Sequence, residues 1–251
     1  MELFVFFYLG VVGLIFGSFF NVVGLRIPKK QSIVHPRSSC PNCGRVLTSK
    51  ELIPVFSYLI QRRKCRNCHV QISFIYPMME LLTGLLIAVT PLNIGWNSQL
   101  FVAYLFISML MIITVSDMAY MVIPDKILLF FLVVFIILHF FLSMPSWLDS
   151  IAGAVIGFGI LFLIALISNG GLGGGDIKLF AVIGFILGLK LTLLALFFSI
   201  FYGAFIGLFL MGFGFVKSKQ PVPFGPFITI GSLTAYFFGG RIVNWYFGVF
   251  I

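Results

Sequence analysis

Charge is what this sequence has least of. Of its 251 residues 9% are charged, and only seven are acidic: Glu2, Glu51, Glu80, Asp117, Asp125, Asp149 and Asp176. With 61% hydrophobic residues, so few charges leave too little polar surface for a water-soluble domain, which points to a polytopic membrane protein. Apolar and polar residues do not alternate at the spacing of barrel strands, which excludes a transmembrane β-barrel in favour of an α-helical bundle. The N-terminus lacks a basic n-region and a small-residue cleavage site, so its apolar run is expected to stay as a span. No G-x-G-x-x-G pattern follows a strand, and nothing in the residue pattern itself announces a nucleotide-like cofactor. Cysteine is sparse too: all four lie between positions 40 and 68.

What the chain does have is apolar runs. They fall at 3–25, 78–94, 100–116, 127–142, 151–167, 177–189, 191–216 and 226–250, each read as a candidate span at ~20 residues per crossing. The expected fold class is an all-α membrane protein of about eight transmembrane helices with a small zinc-stapled cytoplasmic loop domain. The expected organisation is a first helix over 1–25, a four-cysteine zinc-binding domain over 26–77 and a membrane core over 78–251.

Ten of the sixteen Lys and Arg sit between Arg26 and Arg66. A nucleic-acid surface is one reading of that cluster. The positive-inside rule is the better one in so apolar a chain, and no nucleic-acid partner is expected. With that loop cytoplasmic, eight spans put both termini outside. Lys126, Lys178, Lys217 and Lys219 then join the cytoplasmic side, leaving Lys190 and Arg241 on the outer one. The same count puts Asp117 and Asp176 at the cytoplasmic ends of their helices. Nothing in the sequence specifies an oligomeric state.

Two constellations carry chemistry. Cys40-Pro41-Asn42-Cys43 and Cys65-Arg66-Asn67-Cys68 form paired CxxC turns, the ligand set of a closed, structural zinc site. Nearby cations favour thiolate, and a reducing cytoplasm disfavours disulfides. A loop of about fifty residues with few apolar anchors needs such a staple.

The second constellation is Asp117 with Asp176. The latter follows five glycines in Gly170-Gly171-Leu172-Gly173-Gly174-Gly175-Asp176. A carboxylate at a span end is costly and calls for a function. Two that meet share a proton, so one can activate water while the other protonates a carbonyl oxygen. From the residues alone three readings stay open: aspartyl protease, proton-coupled carboxylate-relay transporter, and helix capping by Asp176.

Taken in order, six stretches resemble the bacterial type IV prepilin peptidases, of the GxGD class of intramembrane aspartyl proteases. They are Gly17-Ser18-Phe19-Phe20-Asn21-Val22-Val23, the two cysteine pairs, Tyr76-Pro77-Met78-Met79-Glu80-Leu81-Leu82-Thr83-Gly84, Asp117 with Pro124-Asp125, Gly174-Gly175-Asp176-Ile177-Lys178, and Pro223-Phe224-Gly225-Pro226-Phe227. The resemblance implies cleavage of the basic leader of prepilin and pseudopilin precursors after a glycine, at the cytoplasmic face of the bacterial inner membrane. Asp117 and Asp176 would be the catalytic pair, and Cys40, Cys43, Cys65 and Cys68 the zinc ligands. It also implies N-methylation of the new N-terminus from S-adenosylmethionine, a cofactor expected on the resemblance alone and without an assigned site. The family pattern often has a second acid two residues after the first aspartate, where this chain has Ala119.

Other residues are weighed one by one. Glu80 is the candidate to touch cofactor or substrate; otherwise it pairs with a loop cation. Lys178 either holds Asp176 ionised or anchors at the interface. Asp125 is expected to cap a helix. His139 reads as structural, and His35 and His69 flank a zinc shell already filled. Gly153, Gly157 and Gly159 suggest close helix packing. Trp245 and Tyr246 look like interface anchors. The membrane lipid itself is an expected partner, its anionic headgroups helping to recognise a basic leader.

Overall fold

A computed structural model describes residues 2–168, 172–214 and 222–250. Gly170, Gly171, Lys217 and Lys219, used in the sequence reading, lie outside the described residues. Eight α-helices are described: α1 Glu2–Arg26, α2 Phe56–Ile60, α3 Ile75–Ile94, α4 Gln99–Tyr120, α5 Asp125–Phe141, α6 Trp147–Ile167, α7 Gly174–Gly212 and α8 Gly225–Phe250. Five stretches are long and apolar enough to cross a membrane: Leu3–Arg26, Ile75–Ile94, Gln99–Tyr120, Trp147–Ile167 and Gly174–Gly212. The expected spans at 127–142 and 226–250 fall on α5 and α8. Those at 177–189 and 191–216 both fall on α7.

At 39 residues α7 would be ~58 Å long as a straight helix, about twice a hydrocarbon core. It is not continuous, because Gly188 is non-helical at φ 73, ψ 172. That break frees the Leu189 N–H, and the Asp149 carboxylate of α6 accepts it at 3.1 Å. A Cβ at Gly188 would run into the same carboxylate, so glycine is required there on two counts.

Apolar side chains are exposed on the outside, as bilayer solvent demands, and the largely apolar interior also holds a set of buried hydroxyls. On α1, Phe4, Phe7, Tyr8, Val11, Ile15 and Phe16 are exposed, whereas Thr83, Thr90, Thr114, Ser116, Ser150, Thr192, Ser199 and Ser232 are buried. Several of the latter return their hydroxyl to a carbonyl one turn back, as Thr83 does to Met79 at 2.7 Å and Ser199 to Ala195 at 2.6 Å. Those bonds satisfy the hydroxyl where no water competes.

The chain forms two compact units, Met1–Ser116 and Asp117–Ile251. In the first, α1 packs on α3 through Gly13, Gly17 and Gly84; a Cβ at Gly13 would lie 2.8 Å from the Gly84 Cα. The α4 end of this unit meets α1 at Gly24, where a Cβ would lie 2.8 Å from the Ile112 carbonyl oxygen. In the second, α7 is central and contacts α5, α6 and α8. Gly153 of α6 and Gly184 of α7 bring the two backbones together, and a Cβ at Gly157 would lie 2.8 Å from the Phe180 carbonyl oxygen. Gly159 has open space, so two of the three expected packing glycines do that work. His139 is buried in an aromatic setting, 4.0 Å from the Trp147 ring and 5.5 Å from Phe185. Trp245 and Tyr246 are exposed.

Candidate active site and metal centre

Asp117 sits in the last turn of α4. Met121 returns its N–H to the Asp117 carbonyl at 2.8 Å and turns left-handed at φ 53, which ends the helix. The Asp117 side chain is buried, and its Oδ2 accepts the Gly225 N–H at 2.7 Å. Gly225 opens α8, so this is a helix N-terminal donor aimed at a carboxylate. A side chain could not stand there, since a Cβ at Gly225 would lie 2.8 Å from the same oxygen.

Asp176 is also buried, in the first turn of α7. Gly173 is the N-cap of that helix, with no side-chain cap bond, and the Asp176 N–H reaches the Gly173 carbonyl at 3.1 Å. Asp176 is therefore inside the helix rather than its cap. A Cβ at Gly175 would lie 2.8 Å from the Ile123 Cβ, so this glycine lets α7 approach the segment before α5. Gly174 faces open space. The two carboxylates lie near enough for their charges to interact.

Lys178 forms its ion pair with a carboxylate other than Asp176. Its Nζ donates to both carboxylate oxygens of Asp125 at 2.9 Å, an exposed pair that ties the start of α5 to the start of α7. Asp125 is correspondingly not a cap: Pro124 holds that position.

The loop between α1 and α3 holds the cysteines on two matching turns. Cys40 and Cys65 donate N–H to Arg45 and Val70 carbonyls at 2.9 Å, and Gly44 and His69 close each turn onto the leading cysteine. Gly44 and His69 are both left-handed, at φ 69 and φ 58. His69 is thus the counterpart of a turn glycine, which accounts for it without metal ligation. The four sulfurs lie within 4.8 Å of one another, with Cys40 and Cys68 Sγ at 3.7 Å.

Backbone donors bias two of these thiols, Cys43 and Cys65, toward thiolate. Cys43 is lowered to about 6, chiefly by the Arg45 N–H and then by the Asn67 side chain. Cys65 is lowered by the N–H groups of Cys68 and Asn67. Cys40 receives such donors from Cys43 and Asn42, yet burial and the neighbouring sulfurs leave it raised. Between the turns lies a buried carboxylate, Glu51. It accepts the Thr48 N–H and Arg45 Nη2 at 2.9 Å, with Arg66 Nε at 3.8 Å, so a cation from each turn converges on it. The Thr48 N–H above all, and these cations, lower its pKa.

Glu80 on α3 is buried, and its Oε2 accepts the Val55 N–H at 2.8 Å. The alternative reading, a loop cation, is not met: among the described residues no Lys, Arg or His forms an ion pair with it.

Sequence reasoning quoted the Pro223–Phe227 stretch and missed what Gly225 does. The available signal was a glycine between an aromatic and a proline, at a helix start where a backbone donor is free.

Residues 104–208 match the family described as Type IV leader peptidase, and residues 11–94 match Bacterial Peptidase A24 N-terminal domain. A protein of Bacillus subtilis named prepilin leader peptidase/N-methyltransferase is 47% identical over 94% of this chain and 95% of its own length. Proteins of the same name from Myxococcus xanthus and Aeromonas hydrophila are 39% and 31% identical, covering 72% and 93% of this chain and 55% and 90% of their own. No solved structure gives a significant match.

Proposed function

The chain belongs to the type IV leader peptidase family, and on that premise we propose that Asp117 and Asp176 are the catalytic pair of a prepilin leader peptidase that is also an N-methyltransferase. Its substrates are prepilin and pseudopilin precursors, cut at the cytoplasmic face of the bacterial inner membrane. The observation that carries this reading is the bond from the Gly225 N–H to Asp117 Oδ2 at 2.7 Å, which fixes one of two buried carboxylates that feel each other's charge.

The pair shares one proton. The ionised carboxylate takes a proton from water, and the protonated one donates to the carbonyl oxygen of the scissile peptide. Gly225 orients Asp117 for that exchange, and no covalent intermediate is needed. The open space at Gly174 lets an extended substrate backbone approach. Eight crossings are assigned, counting α5, α8 and both halves of α7. The termini lie outside, the 26–77 loop in the cytoplasm and the core over 78–251, with anionic lipid helping to receive a basic leader.

The loop cysteines fit zinc. Four Zn–S bonds of ~2.3 Å set tetrahedral sulfurs ~3.8 Å apart, close to the 3.7 Å between Cys40 and Cys68. With all four positions filled by thiolate the ion is structural. S-adenosylmethionine is the methyl donor, and when bound it supplies a methyl group to the new amine. Glu80 is the residue assigned to contact donor or amine.

The test is cleavage of a purified prepilin in detergent by wild type, Asp117→Asn and Asp176→Asn, with and without S-adenosylmethionine, read by mass spectrometry. Both variants are expected to lose cleavage, and the wild-type product to gain one methyl mass. Cleavage that survives either substitution would refute the aspartyl mechanism.

A further inference from the structure

The molecule contains a further buried carboxylate site, lying wholly within the first unit. Its centre is Glu80, on the side of α3 that meets α1. The two helices touch here, since a Cβ at Gly17 would lie 2.8 Å from the Glu80 Cα. Ser18, the next residue of α1, brings its hydroxyl near the carboxylate. Asn21, one turn further along α1, donates its Nδ2 to the Tyr76 carbonyl of α3 at 3.1 Å, one turn before Glu80. Ser18, Asn21, Tyr76 and Glu80 therefore share one helix–helix seam.

Two features of this seam have no structural explanation. The first is charge: Glu80 is 8% exposed and has no cation beside it among the described residues. A buried carboxylate in that condition is costly unless it takes up a proton or something positive joins it. The second is the Asn21 amide, 3% exposed, whose Oδ1 is fully buried and accepts no hydrogen bond. An orphan acceptor beside an unpaired carboxylate asks for a donor, and for one that carries positive charge.

The loop has been shaped to serve the same carboxylate. Pro54, Val55 and Phe56 form a tight turn in which the Phe56 N–H reaches the Pro54 carbonyl at 2.6 Å, with Val55 at φ 60, ψ −53. That backbone is strained for a β-branched residue. Its result is that the Val55 N–H points at Glu80 Oε2 and holds the carboxylate in place.

We propose that Glu80, Asn21 and Ser18 form a binding site for a primary amine in its ammonium form. An ammonium presents three N–H donors; the seam presents three oxygen groups, of which the carboxylate supplies the countercharge. This rests on the methyltransferase part of the reading above, a reaction that offers two such amines: the new α-amine of the cleaved polypeptide and the amino group of the methyl donor. Glu80 and Asn21 position the amine and take no part in peptide cleavage, which belongs to Asp117 and Asp176.

The experiment uses full-length protein in detergent and compares wild type with Glu80→Gln, which keeps the acceptor for Val55 and removes the charge. Binding is measured for the product peptide with a free N-terminus against its N-acetylated form, and for S-adenosylhomocysteine against its deaminated analogue. Wild type is expected to prefer the free amine in one of the two pairs by about 10-fold or more, the worth of a hydrogen-bonded charge. Glu80→Gln should erase that preference. The pair that loses its preference identifies which amine the site holds. Melting temperature gives an independent readout: relief of an unpaired buried charge should leave Glu80→Gln at least as stable as wild type. Should that variant fail to fold, Asn21→Leu removes the orphan oxygen and carries the same comparison. An unchanged amine preference in both pairs overturns the proposal, as does the absence of any preference in wild type. Failure of methylation in wild type with an intact amine preference would instead count against the methyltransferase reading and leave the site standing.

Discussion

Replacing Gly225 by alanine tests the active-site geometry with a single methyl group. The added Cβ would lie 2.8 Å from Asp117 Oδ2, 2.9 Å from its Cβ and 3.1 Å from its Cγ, three contacts on one side chain. Carbon and oxygen settle no nearer than about 3.4 Å, so the carboxylate must retreat by about 0.6 Å. The 2.7 Å bond from the Gly225 N–H then stretches past the length at which it holds. A hydrogen bond to an ionised group is worth about 1.5–3 kcal/mol, or roughly 10- to 100-fold in rate. Misplacing a catalytic group by close to an ångström costs on the same scale. Expected, therefore, is a fall of that size in kcat for prepilin cleavage, with KM and melting temperature near wild type. Gly207→Ala is the control: it adds the same methyl to α7, where a Cβ meets nothing within 4 Å. Cleavage by Gly225→Ala within twofold of wild type would refute the claim that this backbone donor positions Asp117.

Three further outcomes follow from the loop and the broken helix. Cys43→Ser or Cys65→Ser should abolish bound zinc, measured by elemental analysis, and make residues 26–77 sensitive to limited proteolysis. Chelation of the wild-type protein should do the same. Glu51 has a depressed folded-state pKa, so its contribution to loop stability is fully present above its ordinary value of 4.5 and is lost as pH falls through the lower folded value. Protease resistance of the loop should drop across that acidic window in wild type and lose this component in Glu51→Gln. Asp149→Ala removes the acceptor at the α7 break and should cost about 1 kcal/mol, the worth of a capping side chain, seen as a lower melting temperature in detergent.

Much of this protein is legible in its sequence. The helical membrane class follows from composition, because a bilayer selects long apolar runs and tolerates few charges. The cysteine cluster follows from spacing, since two residues between cysteines fit one tight turn, and both pairs form such turns. Asp117 and Asp176 stood out because carboxylates are rare here and each lies at the end of an apolar run. What the sequence could not determine is which groups meet across the fold. Lys178 has an aspartate two residues before it, yet it pairs with Asp125, fifty-three positions away, because the start of α5 lies beside it. Gly188 reads as one more glycine in an apolar run, and only the packed α6 shows that it breaks a helix against Asp149. Glu80 reads as a contact for cofactor or substrate, with a loop cation as the alternative; the loop instead offers it a strained backbone N–H, and the Asn21 oxygen on the same seam accepts no hydrogen bond. Gly225 lies 108 residues from the carboxylate it holds. Local pattern fixes what a segment is, because propensity and hydrophobicity act over a few turns. Partnership between distant side chains depends on where helices cross, and those crossings are set by the shapes of all the packed residues at once.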